Sequence, residues 1–333
     1  HIDNTRQHSV GNKYYGQSAS YGGSVMQYSS RVYSLDQQYL LNYKKTFGNH
    51  NLDILAGYES MDFNTESHYI LGYNMYSDKN WTASNVIDRK NGSGSYNEYA
   101  TIGIITRASY DFNEKYYGSV SYRRDASSRF HPDNRWGNFW ALSGGWRVSA
   151  EEFMKEFDWV SDLKVRFGYG VTGNNDFDAS YMANTLSRDQ YWMLPSGSWA
   201  YVYGPSSNVN PYLGWEEKKE WNIGVDYSFF GNRMYGKFDY YRRKIDGMIY
   251  EVNVPQPPYP NGKQWQNIGE MESKGWEFEV GGDIIQNKDF TWTSSLNMSH
   301  NSGKILTMYG NNSRMDGNAM DEPGWPGDAA RIE

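Results

Sequence analysis

Along much of this chain, apolar and aromatic side chains alternate with small, polar or charged ones in segments of roughly ten residues, the spacing of a membrane-crossing strand. Between 162 and 172 the odd positions carry Leu163, Val165, Phe167, Tyr169 and Val171, and the even ones carry Lys164, Arg166, Gly168 and Gly170. Successive side chains of a strand point to opposite faces, so this segment has one greasy face and one charged or bare face. The row Trp221, Ile223, Val225, Tyr227 and Phe229 repeats the pattern against Asn222, Gly224, Asp226 and Ser228. So do Met234, Phe238 and Tyr240 against Lys237 and Asp239, and Trp276, Phe278 and Val280 against Glu277 and Glu279. Trp140, Leu142, Trp146 and Val148 form one more such row. A single strand of this kind suits any half-buried sheet. Its recurrence predicts an all-β protein, an antiparallel transmembrane β-barrel with its apolar rows toward lipid and its polar rows toward a wet lumen.

Ten strands are predicted, at about 32–46, 51–62, 101–111, 115–125, 135–148, 162–172, 218–229, 234–245, 271–284 and 290–301. Tight hairpins join them at Gly48-Asn49-His50, Asn113-Glu114, Gly231-Asn232 and Gln286-Asn287-Lys288, with the Gly and Asn that such turns require. A short capped helical turn is expected over Ser149–Trp159. The remaining connections, about 63–100, 126–134, 173–217, 246–270 and everything after 302, are long. Short and long alternate, and in outer-membrane barrels short turns face the periplasm while long loops face outside. A soluble barrel or sandwich is the alternative, but it would have to bury rows of Trp and Tyr under a second layer.

Composition narrows the choice. The chain has 333 residues with only 38% hydrophobic, much of that being 30 Tyr, 14 Phe and 13 Trp, beside 34 Gly. Mean hydropathy is −0.83. That is aromatic-rich and Gly-rich, unlike a helical enzyme or a disordered chain. No segment is apolar for the length a transmembrane helix needs, which alternating strands would not show in any case. Cysteine is absent, so disulfides, thiolate nucleophiles and Cys-ligated metals are excluded for these residues. Net charge is −7 with no block of like charge, which argues against nucleic acid as a partner. The opening His1-Ile-Asp-Asn has neither the basic nor the apolar region of a signal peptide.

Between 113 and 137 the sequence becomes specific. Tyr122-Arg123-Arg124-Asp125 with Arg129-Phe130, followed by Pro132-Asp133-Asn134-Arg135-Trp136-Gly137, resembles the "RRDGSSRFGPNNRWG" segment of SusC/RagA-type TonB-dependent transporters. The likeness continues through Ser143-Gly-Gly-Trp146-Arg147, Glu151-Glu152-Phe153, Asp162-Leu163-Lys164-Val165-Arg166 and Gly168–Asn174. Asn267-Ile-Gly-Glu-Met-Glu-Ser-Lys-Gly275-Trp-Glu277 is similar to the family's "NIGxMxNKGxE" strand, and Leu41–Gly48 with Leu55–Glu59 to an earlier hairpin. The resemblance covers about 31–305. It implies a large plugged barrel in the cell outer membrane, importing an oligosaccharide or a peptide. Its implied partners are a SusD-like surface lipoprotein as lid, TonB as the energy source and outer-membrane lipid, with transporter–lipoprotein pairs assembling as a dimer. A plugged barrel has about 22 strands, so ten strands are roughly half a wall. No plug-domain sequence, TonB-box-like segment or closing strand is found, and the chain reads as an internal piece of a longer transporter. An intact ten-stranded barrel is the alternative, disfavoured because open sheet edges cannot stay unpaired in lipid. The competing functional classes are a passive outer-membrane channel and a surface glycan-binding β-protein.

No catalytic constellation stands out, and no cofactor is implied. The six histidines (His1, His8, His50, His68, His131, His300) are scattered, and no Gly-x-Ser-x-Gly elbow occurs. Glu216-Glu217-Lys218-Lys219-Glu220 reads as a solvated strand entry, and Glu151-Glu152 complements the start of a helical turn. Asn174, Asp176 and Asp178, with Asn175 among them, offer oxygen ligands for Ca²⁺, though without EF-hand spacing. The long loop after 173 carries Tyr181, Tyr191, Trp192, Trp199, Tyr201, Tyr203, Tyr212 and Trp215. Flat aromatic faces of this kind stack on sugar rings, or pack the loop onto itself or onto the lid. Pro255-Gln-Pro257-Pro258-Tyr259-Pro260 is a stiff strap in the next loop. Arg123, Lys164, Arg166, Lys237, Asp239, Glu277 and Glu279 are expected to face the lumen, where most would pair with plug side chains.

Overall fold

The computed structural model describes residues 1–177, 186–205, 208–255 and 262–308. Fifteen strands appear among them: β1 Ile2–Gly11, β2 Ser24–Phe47, β3 His50–Met75, β4 Val86–Phe112, β5 Tyr116–Ser127, β6 Trp136–Arg147, β7 Val160–Asn174, β8 Leu186–Met193, β9 Trp199–Pro205, β10 Glu216–Phe229, β11 Met234–Asp246, β12 Ile249–Asn253, β13 Lys263–Asn267, β14 Glu270–Gln286 and β15 Thr291–Thr307. Eleven form one sheet in the order β1-β2-β3-β4-β5-β6-β7-β10-β11-β14-β15, and β8-β9 and β12-β13 form separate hairpins. Neighbours in the large sheet follow chain order, the up-and-down arrangement of a barrel wall.

The chain divides into two compact units. The first comprises His1–Gln38 and Glu59–Ile102. Here β1 pairs antiparallel with β2 from Ile2↔Tyr33 to Gly11↔Ser24. Its small core joins Val25, Met75 and Val86, and Gln27 Oε1 accepts the Ala83 N–H at 3.0 Å. Phe63 packs on Tyr99 at 5.0 Å, and the Ser67 and Ser95 hydroxyls meet at 2.7 Å. The connection expected over 63–100 is therefore mostly strand, since β3 runs on to Met75 and β4 begins at Val86. β1 and the polar or Gly-rich parts Asn64–His68 and 88–95 carry no apolar row on either face, and the short row Tyr69, Leu71, Tyr73 and Met75 begins only after that break, so the alternation did not register as a continued strand.

The second unit comprises Tyr39–Tyr58 and Gly103–Glu333. In it β7 pairs with β10 so that Leu163 faces Tyr227, Val165 faces Val225 and Phe167 faces Ile223. β10 pairs with β11 through Val225↔Phe238, and β11 with β14 through Phe238↔Phe278. The apolar rows thus align across four strands on one face. Lys164↔Asp226, Gly224↔Asp239 and Lys237↔Glu279 align on the other. Short turns close β4–β5 and β10–β11; Asn113 and Glu114 both take positive φ (56° and 55°), the geometry of a two-residue hairpin turn. The long connections after β7 and β11 hold the hairpins β8-β9 and β12-β13, which short loop-like sequences with mixed polarity did not announce.

Candidate functional site

The polar face of the second unit is an ion-pair lattice built on strand register. Arg166 on β7 donates from Nε and Nη2 to Asp226 on β10 at 2.7 and 2.8 Å. Its Nη2 then passes β10 to reach Asp239 Oδ1 on β11 at 3.0 Å. That reach is two strand spacings, and it runs over Gly224, where an added Cβ would collide with Asp239 and Arg166. Lys237 pairs with Glu279 at 3.1 Å, Arg123 with Asp125 at 2.6 Å and Arg243 with Glu220 at 2.7 Å. The Lys164 ammonium sits 4.2 Å above the Tyr117 ring. Glu277 lies opposite Asp239 in the β11–β14 register. Of the seven residues predicted for this face, Arg166, Asp239, Lys237, Glu279 and Arg123 hold partners within the wall itself. Sequence reasoning could not supply these wall partners, because which side chains come within reach is set by strand register. It also missed Arg243 and Glu220, although their opposite charges on polar rows were there to be matched.

On the apolar face the chemistry changes abruptly along each strand. Trp221 and Tyr240 pack at 5.6 Å. Two to six residues further along the same rows, Lys219 pairs with Asp246 at 2.8 Å, Lys244 with Asp246 at 2.9 Å and Lys244 with Glu270 at 3.0 Å. Arg242 donates to Glu272 beside them. An apolar row, an aromatic rung and a charged rung succeed one another, as at a membrane–water boundary.

Beyond the charged rung the connections pack onto themselves. Phe130, Phe177 and Leu213 are buried together, with Trp215, Ile249 and Trp265 against them. Phe130 meets Phe177 at 5.3 Å and Trp215 at 5.2 Å, and Phe139 meets Trp215 edge-on at 5.3 Å. The Trp215 indole N–H donates to the Arg135 carbonyl at 2.9 Å. Trp215, expected among the cargo or lid contacts, is half-buried, with its ring on Phe130 and on Phe139 of β6 and its N–H on the Arg135 carbonyl. Trp199 stands exposed at the start of β9, and Tyr212 is exposed beside Leu213. Tyr191 and Trp192 lie on β8, Tyr201 and Tyr203 on β9, with Tyr191↔Tyr201 and Trp192↔Ala200 in register. Tyr181 and residues 256–260 of the proline strap lie outside the described residues.

The oxygen-rich stretch expected to offer Ca²⁺ ligands is engaged locally. Asn174 Oδ1 accepts the Asp176 N–H at 3.0 Å, and Asn174 Nδ2 donates to Glu216 at 3.2 Å. Arg129 Nη1 lies 3.4 Å from Asp176 and donates to the Asn175 carbonyl at 2.9 Å. Asp178 lies outside the described residues. Among the described residues no three His, Cys, Asp or Glu side chains converge as metal ligands.

This succession of lipid-type face, ion-paired face and packed loop platform belongs to an outer-membrane β-barrel. The family model for the TonB dependent receptor-like β-barrel matches residues 2–329, and the chain belongs to that family. It is 32% identical over 309 residues to the TonB-dependent receptor SusC of Bacteroides thetaiotaomicron, covering 91% of this chain and 29% of that protein. It is 33% identical over 291 residues to the TonB-dependent receptor P39 of Formosa agariphila, covering 83% of this chain and 26% of that one. The solved RagAB peptide transporter superposes with a TM-score of 0.83 at 27% identity, over 93% of this chain and 34% of that one. The chain thus spans about three tenths of the length of these curated relatives.

Proposed function

We propose that this chain is part of the barrel of an outer-membrane importer for oligosaccharides or peptides, powered through TonB and capped by a SusD-like surface lipoprotein, and that it does no catalysis. The observation that carries the reading is the family match over nearly the whole chain, together with likeness to SusC and to the RagAB peptide transporter. In this reading the wall lattice around Arg166 and Lys237 lines the lumen, and Lys164 and Glu277 contact plug or solute. Trp199, Tyr191, Trp192, Tyr201 and Tyr203 meet cargo or lid on the loop side, and transporter–lipoprotein pairs assemble as dimers. Aromatic residues at such a rim serve either sugar stacking or a protein interface.

The test is uptake by whole cells carrying or lacking the full-length gene, offered fluorescent oligosaccharides and fluorescent peptides in parallel. The expected result is saturable accumulation of one class that disappears on deletion and on collapse of the proton-motive force. Uptake that persists without energy would identify a passive channel instead. Surface binding without accumulation would identify a glycan-binding surface protein.

A further inference from the structure

The connection between β6 and β7 is unlike the other short turns. From Val148 to Val160 it advances by successive one-turn hydrogen bonds: Glu151 N–H to the Val148 carbonyl at 3.0 Å, Met154 to Glu151 at 3.1 Å, Phe157 to Met154 at 3.0 Å and Val160 to Phe157 at 2.9 Å. It is tied to the wall on both faces. On the polar face Asp162 Oδ1 accepts from Arg147 Nε at 2.8 Å and from the Ser149 hydroxyl at 2.7 Å. On the apolar face the Glu151 carboxylate accepts from the Tyr116 hydroxyl at 2.6 Å, the Trp146 indole N–H at 3.1 Å and the Lys115 ammonium at 3.3 Å.

A connection held this firmly has no need of further anchoring, yet it displays large apolar rings. Phe153 is 57% exposed, Phe157 45% and Trp159 51%. Among these rings the charged side chains pair with one another, Glu152 with Lys155 at 2.8 Å. The exposed rings are continuous with the wall: the Trp159 ring packs on Phe229 at 5.2 Å, and Phe229 stacks on Tyr227 at 5.4 Å in the apolar row of β10. Tyr116 and Trp146, clamped by Glu151, end the corresponding rows of β5 and β6. Amphipathic rings whose polar tips are satisfied at one level are the hallmark of a headgroup boundary.

We propose that the 148–160 connection is an in-plane anchor for the inner leaflet, with Phe153, Phe157 and Trp159 set at the headgroup–acyl boundary of zwitterionic phospholipid. The occupant follows from continuity with the apolar rows of the wall and from local charge. Glu151, Glu152, Glu156 and Asp158 outnumber Lys155, which disfavours an anionic surface and suits ammonium-bearing headgroups. The inference rests on the lipid-facing reading of the wall and is independent of what the protein imports.

These 333 residues hold no cysteine, so once any cysteine elsewhere in the full-length protein is replaced, single spin labels can be placed within them. The full-length protein, labelled at Phe153→Cys, Lys155→Cys or Leu142→Cys, is reconstituted in zwitterionic vesicles, and collision with oxygen is compared with collision with a water-soluble nickel chelate. The expected result is an oxygen-to-chelate ratio at 153 several-fold above that at 155 and approaching that at 142, which sits in the apolar row of β6. Equal access of chelate to 153 and 155 would overturn the proposal by placing the segment in water. Shielding of 153 from both reagents would overturn it in favour of a protein partner. Phe157→Cys gives the same readout should the label at 153 prevent insertion. Because no cargo is involved, a negative uptake assay leaves this measurement unaffected.

Discussion

On the wall of the second unit, Phe167, Ile223 and Phe238 each keep 41–45% of their surface exposed, whereas Phe130 and Leu213 on the loop side keep 1%. The same residue types therefore contribute stability by two different routes. On the wall the apolar surface is left for hydrocarbon to cover, and strand pairing holds the shape. In the loops, burial against Trp215, Phe177 and Trp265 does the work without lipid. The loop platform is in this sense a small soluble core carried on a membrane sheet.

The sharpest way to break this contrast is Phe130→Ala. Emptying a fully buried phenylalanine site costs about 3–5 kcal/mol. Amide exchange should accelerate around 130, 213 and 265 while β7, β10 and β11 stay protected. Uniform loss of protection across wall and loops would show that the platform is not an independent core. Next in size is Val165→Arg, for which about 2–4 kcal/mol of membrane-folding stability should be lost near the midplane. Lys164→Ala, one residue away on the other face, should cost little. Denaturant titration in vesicles reads both, and equal costs would erase the distinction between the faces.

A smaller effect is expected from Asp239→Asn. It removes one of two carboxylates from Arg166 in a partly exposed pair, worth about 0.5–1 kcal/mol. Salt should erase this difference while leaving the Val165→Arg penalty in place. The smallest is a pH effect at Glu151. Hydrogen bonds from the Tyr116 hydroxyl and then the Trp146 N–H, with Lys115 adding less, hold its carboxyl below the ordinary value against some desolvation. A folded-state pKa below the unfolded one means the contribution is complete above the unfolded value and is lost as pH falls through the folded value. The stability gap between wild type and Glu151→Gln should therefore narrow in acid, as followed by thermal melts; a gap that stays constant would remove Glu151 from the clamp.

How much could be read beforehand depended on whether one side of a strand met lipid. Where it does, as from Leu163 to Val171 or Trp221 to Phe229, alternation placed both the strand and its two faces. Where the alternation lapses, as in Ile2–Gly11, Asn64–His68 and 88–95, the strand had no row to announce it, and the short row Tyr69, Leu71, Tyr73 and Met75 beyond the break passed for loop. The site was legible to the same degree. Parity alone put Arg166, Lys237, Asp239 and Glu279 on the polar face, but that Arg166 reaches Asp239 depends on register across three strands and on the bare Gly224 between them. The packing of Trp215 on Phe130 was not legible, because a loop tryptophan looks the same in sequence whether its ring meets cargo or a neighbouring loop.

The rung of charge just past Trp221 and Tyr240 also measures the membrane. From Phe229 to Trp221 the uninterrupted row spans eight residue steps, about 26 Å along the strand. Tilted as barrel strands are, that is about 20 Å of hydrocarbon thickness. A bilayer much thicker than this would draw Lys219, Lys244 and Asp246 into its apolar interior. The wall is therefore cut for a thin membrane, and thickness alone would sort this protein to the bacterial outer membrane, which is thinner than average.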